Sequence, residues 1–355
     1  MRDDLGSSRR GRRAAHGGGL FVGSKTSSIL AFSDRLAMTH QTALKLDNLR
    51  ARFPLPIDGT EVERFSETVV VSGVPIHLAG FAVEVDGECI TGSAAAVGAS
   101  PMLRAYMELV ERLSVLVAMG RGREPVTLRD AAGNRVGLAP SSHVFPESPD
   151  SSRWRWARSN GVAIAETWAE SARRARWELI ERDRILRSFY GEIEPKRLPI
   201  SSTLVPAGLQ ARSEFEAYGF DAAFLDGTSV AMLVGFPEHD EPLVYGFGCR
   251  ATTESALEAA SRECVQRLGF LSGEPLPDVP PSPTPTPDFH QEYYLFPGNH
   301  DRVRRWLRGD HTHYRGCLDP SLVRMPEEPL YADLTPRSLE GRCPPLRAPT
   351  CRSRS

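Results

Sequence analysis

Acidic side chains recur three times along the chain, each time beside an arginine, in the pattern Glu-x-x-Glu/Gln-Arg. The three copies are Glu108, Glu111 and Arg112; Glu178, Glu181 and Arg182; Glu263, Gln266 and Arg267. Residues at positions i and i+3 share one face of a helix, so each copy presents two oxygen-bearing side chains in the same direction. If the copies converge, five carboxylates meet, and they cannot all stay ionised unless cations compensate their charge.

Carboxylates without Cys or His beside them are typical of a magnesium site rather than a zinc site. Magnesium completes its shell with phosphate and water, so a nucleotide is the natural further ligand. The alternative is that Glu108 with Arg112, and Glu178 with Arg182, are i,i+4 ion pairs on exposed helices. One copy alone favours that alternative, whereas three copies in register favour a shared site. The pattern does not identify a catalytic group.

Three helices must position these acids. Residues 101–118, 167–189 and 253–270 carry apolar residues at helical spacing, and a Gly or Ser turn with small residues precedes each one. Residues 68–71, 76–85, 223–236 and 243–247 are predicted strands because of their β-branched and aromatic content. The pattern predicts an α/β fold in which a strand–turn–helix unit occurs three times and the helices cover a sheet.

The composition is that of an ordinary globular protein, with 41% apolar and 25% charged residues. The net charge of -2 argues against a general affinity for nucleic acid or an acidic membrane surface. No apolar run approaches the roughly 18 residues that span a bilayer. The six cysteines are scattered without a CxxC pair, which favours free thiols in a reducing compartment and a cytoplasmic protein.

Three segments differ in composition from the rest. Residues 1–37 are predicted to be disordered, or to reflect start-codon choice with the true start at Met38. The proline-rich residues 275–287 are predicted to form an extended connector inside a single domain that spans residues 38–341. Residues 342–355 have no apolar periodicity and are predicted to be a disordered tail.

The order and spacing of these motifs resemble the YcaO family over roughly residues 68–340. The resemblance is carried by Glu-Leu-Val-Glu-Arg at 108–112, by Ser159-Asn160-Gly161 with the motif at 178–183, and by Gly248 leading into the third motif. Weaker similarity lies around His290, Tyr293 and Tyr294, and at residues 331–336.

The resemblance implies an ATP site without a P-loop, in which glutamates hold Mg2+ against the phosphates. Carried over by position, the metal ligands are Glu108, Glu178, Glu181 and Glu263. The expected nucleotide-binding residues are Arg104, Glu111, Arg112, Arg182 and Gln266. In such enzymes a backbone amide oxygen attacks the γ-phosphate. A Cys, Ser or Thr side chain of the peptide then adds to the amide carbon, giving the azoline precursor of a thiazole or oxazole.

The implied partner is a ribosomally made peptide or a protein substrate. A separate leader-peptide-binding protein and a homodimer are both compatible with the resemblance. Relatives that form thioamides add a sulfide equivalent, and others act as accessory factors for methylthiolation of a ribosomal protein.

Two departures from the family pattern favour a competing hypothesis, a degenerate binding protein. Arg104 stands where the family has a serine, and a tail rich in Pro, Arg and Ser stands where the family has a final strand. A Pro-x-Pro-x-Pro pattern occurs only within the connector, at Pro283, Pro285 and Pro287. A hydrolase is disfavoured because GxSxG and HExxH are both absent from the sequence.

Overall fold

The computed structural model describes residues 40–57, 59, 61–85, 87–120, 124–145, 161–220, 227–238, 241–281, 293–310, 329–336 and 347–350. Three antiparallel sheets and three long helices dominate this part of the chain, which confirms the mixed helix and strand content. None of the helices described is long and apolar enough to cross a membrane. Predictions for residues 1–37, Ser159, Asn160, His290 and the Pro-x-Pro-x-Pro pattern lie outside the described residues.

The first sheet has the strand order β1–β2–β3, formed by Glu63–Val71, Val74–Val85 and Glu88–Val97. Helix α1 (His40–Arg52) precedes this sheet and helix α2 (Met102–Gly120) follows it. Phe81 of β2 and Leu109 of α2 are fully buried in the core between sheet and helix. Within the described residues β3 pairs only with β2, so its other edge is open to side chains.

The second sheet has the order β11–β10–β4–β5, formed by Arg347–Thr350, Leu330–Asp333, Val126–Arg129 and Arg135–Ala139. The short helix α3 (Ser141–Val144) follows β5, and the long helix α4 (Trp168–Phe189) comes next among the described elements. Trp168 anchors the start of α4 because its Nε1 donates to the Asp130 carbonyl oxygen at 2.9 Å and its ring meets Tyr331 edge-on.

The third sheet has the order β6–β7–β8–β9, formed by Lys196–Leu198, Ser213–Gly219, Ser229–Pro237 and Val244–Arg250. The short helix α5 (Ala207–Gln210) precedes β7 and the long helix α6 (Thr253–Leu271) follows β9. One core contains Ile76 of the first sheet, Leu233 of the third and Ala260 of α6. Helix α6 therefore packs between two sheets.

A 3-10 turn (Pro297–Asn299) leads into α7 (His300–Leu307). The ring of Trp306 stacks on Phe220, and its Nε1 donates to Ser188 Oγ at 3.1 Å. Helix α7 thereby packs against the last turn of α4.

The three predicted helices are present as α2, α4 and α6. Of the predicted strand at 223–236, residues 223–226 lie outside the described residues, Gly227 and Thr228 are not in a strand, and β8 starts at Ser229. Strand β3 was not expected, because small residues replace the β-branched ones that usually mark a strand. The expectation of a tail without regular structure is wrong for residues 347–350, which pair with β10 as strand β11.

Candidate functional site

Glu108, on α2, lies against the open edge of β3. Its Oε2 accepts a hydrogen bond from the Ser93 backbone N–H at 3.1 Å, and its Oε1 pairs with Arg112 one turn later. Arg112 also donates to the Thr91 carbonyl oxygen on the same strand. The Glu108 side chain remains 28% exposed, so it is fixed in place at a surface that solvent reaches.

Glu263, on α6, makes the corresponding contacts with the open edge of β9. Its Oε2 accepts from the Phe247 backbone N–H at 2.9 Å, and its Oε1 accepts from Arg267 Nη2 at 3.0 Å. The buried Arg267 guanidinium stacks 3.9 Å from the centre of the Tyr245 ring. The Glu263 side chain is 27% exposed.

Glu178, on α4, is held in the same manner by the segment that leads into its helix. The backbone N–H groups of Gly161 and Val162 donate to it, and Arg182 pairs with its Oε1 at 2.8 Å. Gly161 has a φ of +69°, and a Cβ there would lie 2.6 Å from Leu179 Cγ. The Glu178 side chain is 26% exposed.

Glycines allow the two strands to approach their helices this closely. A Cβ on Gly92 would lie 2.3 Å from the Ala105 carbonyl oxygen, and one on Gly246 would lie 2.1 Å from the Ala260 carbonyl oxygen. Both glycines directly precede the residue whose N–H reaches the glutamate. The small residues are thus required for the backbone to hold the carboxylates.

Side chains from two of the three helices reach across to another unit. Glu111 Oε2 accepts from the Ile164 backbone N–H at 3.1 Å, which joins α2 to the segment before α4. Gln266 Nε2 donates to the Ser93 carbonyl oxygen at 3.5 Å, which joins α6 to β3. The three motifs therefore meet in one place.

The electrostatics show the same convergence. Burial, and next the carboxylates of Glu178 and Glu108, raise the pKa of Glu111 to about 8. Burial, then Glu263 and Glu178, raises the pKa of Glu181 to about 8. Each of these acids is influenced by a carboxylate from another helix, so a bound cation would relieve repulsion among all three helices.

Burial likewise raises the pKa of Glu108 and of Glu178, against the opposing effect of their arginine partners. Within the described ranges, no three acidic, histidine or cysteine side chains are grouped closely enough to hold one metal ion. The carboxylates surround a shared region without forming a closed cage. Such an arrangement fits Mg2+, which needs only one or two protein carboxylates and takes its other ligands from water and phosphates.

Arg104 does not pair with Glu108, which pairs with Arg112 instead. The Arg104 guanidinium donates to the Ala95 carbonyl oxygen on β3. Burial, and next the nearby Arg262, lowers the pKa of Arg104, while Glu108 opposes that change. Arg104 therefore lies at the margin of the acid group, within its field but not bonded to it.

Two arginines beside the acids were not expected from the motifs. Arg250 ends β9 and acts on Glu181, and Arg262 precedes Glu263 on α6. Neither belongs to a recurring pattern. Arg262 is next to Glu263 in the sequence, whereas only the packing of α4 against β9 brings Arg250 beside Glu181.

A family model described as YcaO cyclodehydratase, ATP- and Mg2+-binding, matches residues 126–342, which is more than half of the chain. The first acidic motif, at 108–112, lies before that match. No curated protein matches the chain.

Solved structures share the fold at low identity. The structure of YcaO from Methanopyrus kandleri bound with AMPPCP and Mg2+ has a TM-score of 0.57 and 18% identity, covering 89% of this chain and 91% of that one. A heterocyclase in complex with substrate and cofactor has a TM-score of 0.48 and 14% identity, covering 86% of this chain and 52% of that one. The first of these likenesses shows the fold, and the second is too weak to add to it.

Proposed function

The chain belongs to the YcaO family, with ATP and Mg2+ as its cofactors, and from that premise we propose that it activates a backbone amide of a peptide. The observation that carries this proposal is the repeated way in which three helices hold a glutamate. Glu108, Glu178 and Glu263 each accept from the backbone before their helix and pair with the arginine at i+4. We infer that the turn–helix unit, repeated three times and preceded by a strand before α2 and α6, is a device for fixing carboxylates around phosphates.

We assign the metal-binding role to Glu108, Glu178, Glu181 and Glu263. Three of them are oriented by backbone N–H groups, so little side-chain freedom is lost when a ligand binds. Glu181 has a pKa raised to about 8 and acts as the acid that a cation would ionise.

The remaining candidate residues support these carboxylates or face the nucleotide. Arg112 and Arg182 fix Glu108 and Glu178 by ion pairs. Glu111 and Gln266 tie the motifs together through Ile164 and Ser93. Arg104 offers a cation at the margin, where it can meet a phosphate oxygen.

When bound, Mg-ATP supplies the phosphoryl group that turns an amide oxygen into a leaving group. The chain's own residues then position the reacting groups and neutralise their charge, and they form no covalent bond with the substrate. Most phosphoryl-transfer sites work in this way. The nucleophile is proposed to be a Cys, Ser or Thr side chain of the peptide, which adds to the amide carbon as the former amide oxygen departs with phosphate. The product is an azoline in a ribosomally made peptide.

The competing hypothesis is a degenerate binding protein in which Arg104 neutralises Glu108 in place of a metal. The contacts favour catalysis, because Arg104 donates to the Ala95 carbonyl oxygen and Glu108 retains the same arrangement as Glu263. A missing final strand was one of the two departures from the family pattern that favoured a degenerate protein. Strand β11, which pairs with β10, weakens that argument.

The test uses the purified full chain with ATP, Mg2+ and a short Cys/Ser/Thr-rich peptide encoded beside its gene. Mass spectrometry should detect the loss of one water from the peptide, dependent on ATP and abolished by Glu178→Gln. In a parallel reaction supplied with sodium sulfide, a peptide that exchanges one oxygen for sulfur would indicate thioamide formation. ATP-bound protein that leaves every such peptide unchanged would support the binding-protein hypothesis.

A further inference from the structure

Three arginines from three different elements line one margin of the acidic site. Arg174 lies one turn before Glu178 on α4, Arg250 ends β9, and Arg262 precedes Glu263 on α6. The Arg174 side chain is 53% exposed, Arg262 is exposed, and Arg250 is half-buried. These three residues are called the arginine margin below.

The middle residue of the margin is fixed by packing. The Arg250 guanidinium lies 5.2 Å from the centre of the Trp177 ring on α4, and Arg173 lies 5.1 Å from the centre of the same ring. Arg250 Nη1 also donates to the Cys249 carbonyl oxygen at 2.6 Å. Strand β9 and helix α4 therefore hold a cation in place beside the site.

Arg250 lies within the fields of the other two arginines. Burial lowers the pKa of Arg250, Glu181 opposes this, and Arg262 and then Arg174 lower the pKa further. Arg262 influences Arg104 in the same way. Like charges gathered from separate elements are typical of a surface that receives an anion.

The three arginines differ in how far the carboxylates of the protein neutralise their charge. Arg174 pairs with Glu170, and Arg250 lies within the field of Glu181. Among the described residues Arg262 forms no hydrogen bond and no ion pair, although Glu258 lies one turn before it on α6. Arg262 therefore presents a guanidinium that is available to a partner.

We propose that the arginine margin docks the peptide substrate by binding aspartate or glutamate side chains next to the residue that is modified. This inference rests on the proposed function in one respect, that the substrate is a peptide. Guanidinium groups bind carboxylates with two parallel hydrogen bonds, and exposed arginines are reached directly by a chain arriving from solvent. The margin borders the glutamates assigned to the metal, so a docked peptide would lie beside the nucleotide.

A nucleic acid is a poorer match. The chain has a net charge of -2, so it offers no general attraction to a polyanion. The Trp177 ring beside the margin is covered by Arg250 and Arg173 and is not free to stack on a base.

The test measures fluorescence anisotropy of the full-length protein, without ATP, against a labelled peptide of alternating glutamate and glycine. The matched probe has glutamine in place of glutamate. The parent should prefer the glutamate peptide, and Arg262→Glu should weaken that binding about tenfold, in line with the cost of facing like charges. Arg302→Glu, an exposed charge reversal on α7, should change it less than about twofold.

A peptide of reversed charge gives a sharper test of the Arg262→Glu variant. Arg262→Glu should bind the corresponding lysine peptide better than the parent does, and its thermal midpoint should match that of Arg302→Glu. Equal binding of the glutamate and glutamine peptides by the parent would overturn the proposal. So would unchanged binding by Arg262→Glu.

Two further probes show whether the arginine margin binds an anion other than the carboxylates of a peptide. If Arg262→Glu weakens Mg-AMPPNP binding as much as peptide binding, the margin belongs to the nucleotide phosphates. If a single-stranded oligonucleotide binds more tightly than the peptide and loses as much in the variant, the partner is a nucleic acid. Because these measurements need no turnover, glutamate-dependent peptide binding in a protein that never consumes ATP would contradict the proposed function alone.

Discussion

Glu181 and Glu263 lie on different helices, yet Glu263 is the strongest cause after burial of the raised pKa of Glu181, about 8. The first residue is held by no backbone donor among the described contacts, whereas the second accepts from Phe247 and Arg267. Glu263 is therefore fixed in position, whereas the charge state of Glu181 responds to the charges around it. At neutral pH Glu181 therefore keeps its proton beside Glu263, and a bound cation would allow it to ionise.

ATP should bind only in the presence of Mg2+, because carboxylates from three helices would otherwise repel the phosphates. Isothermal titration calorimetry with Mg2+, and again with EDTA, measures this directly. Equal ATP affinity in the two titrations would contradict the metal assignment of Glu108, Glu178, Glu181 and Glu263.

The stability of the ligand-free protein should fall as the pH rises between about 4.5 and about 8. Over this range Glu181 holds a proton in the folded state that the unfolded chain has lost, so unfolding releases protons and the free energy of unfolding declines. The Glu181→Gln variant lacks this group. Its thermal midpoint, measured beside the parent from about pH 5 to about pH 9, should depend less on pH, and parallel curves would refute the assignment.

Glu178→Gln should damage ATP binding more than folding. It keeps the side-chain size and an acceptor for Gly161 and Val162 but removes a charge, so we expect at least about a tenfold loss of affinity, or about 1.4 kcal/mol. The thermal midpoint of the ligand-free variant should stay the same or rise. Glu258→Gln, on the exposed face of α6, is the matched control and should change neither quantity.

Arg104→Ala should weaken ATP binding if Arg104 meets a phosphate. Arg104→Ser, which restores the residue usual in the family, provides the opposing comparison. Tighter Mg-ATP binding by the Ser variant than by the parent would mean that Arg104 blocks the nucleotide site instead of binding a phosphate. Calorimetry on the three proteins decides between the two roles.

Gly246→Ala should destabilise the protein and weaken ATP binding together. The added methyl group would lie 2.1 Å from the Ala260 carbonyl oxygen, so β9 must move away from α6, at a typical overpacking cost of about 1–3 kcal/mol. That movement would also draw the Phe247 N–H away from Glu263. Gly137→Ala on β5 meets no atom within 4 Å and is the control.

The helices and their acids could be predicted because a period of 3.6 residues and a repeated spacing are visible in one sequence. Strand β3 could not, since Gly92 and Ala94 are small to admit α2 and therefore lack the bulk that marks a strand. The N–H donors of Ser93 and Phe247 were hidden for a different reason. A backbone contact leaves no trace in the side-chain type at the residue that makes it.

Four side chains of the site also cap the open edge of β3. Glu108 and Gln266 bond to Ser93, Arg112 bonds to Thr91, and Arg104 bonds to Ala95. An uncovered strand edge is a template for pairing with another chain and so for aggregation. The same side chains therefore protect this edge from pairing with another chain. A member of the family that had lost its chemistry would still need them to cover this edge.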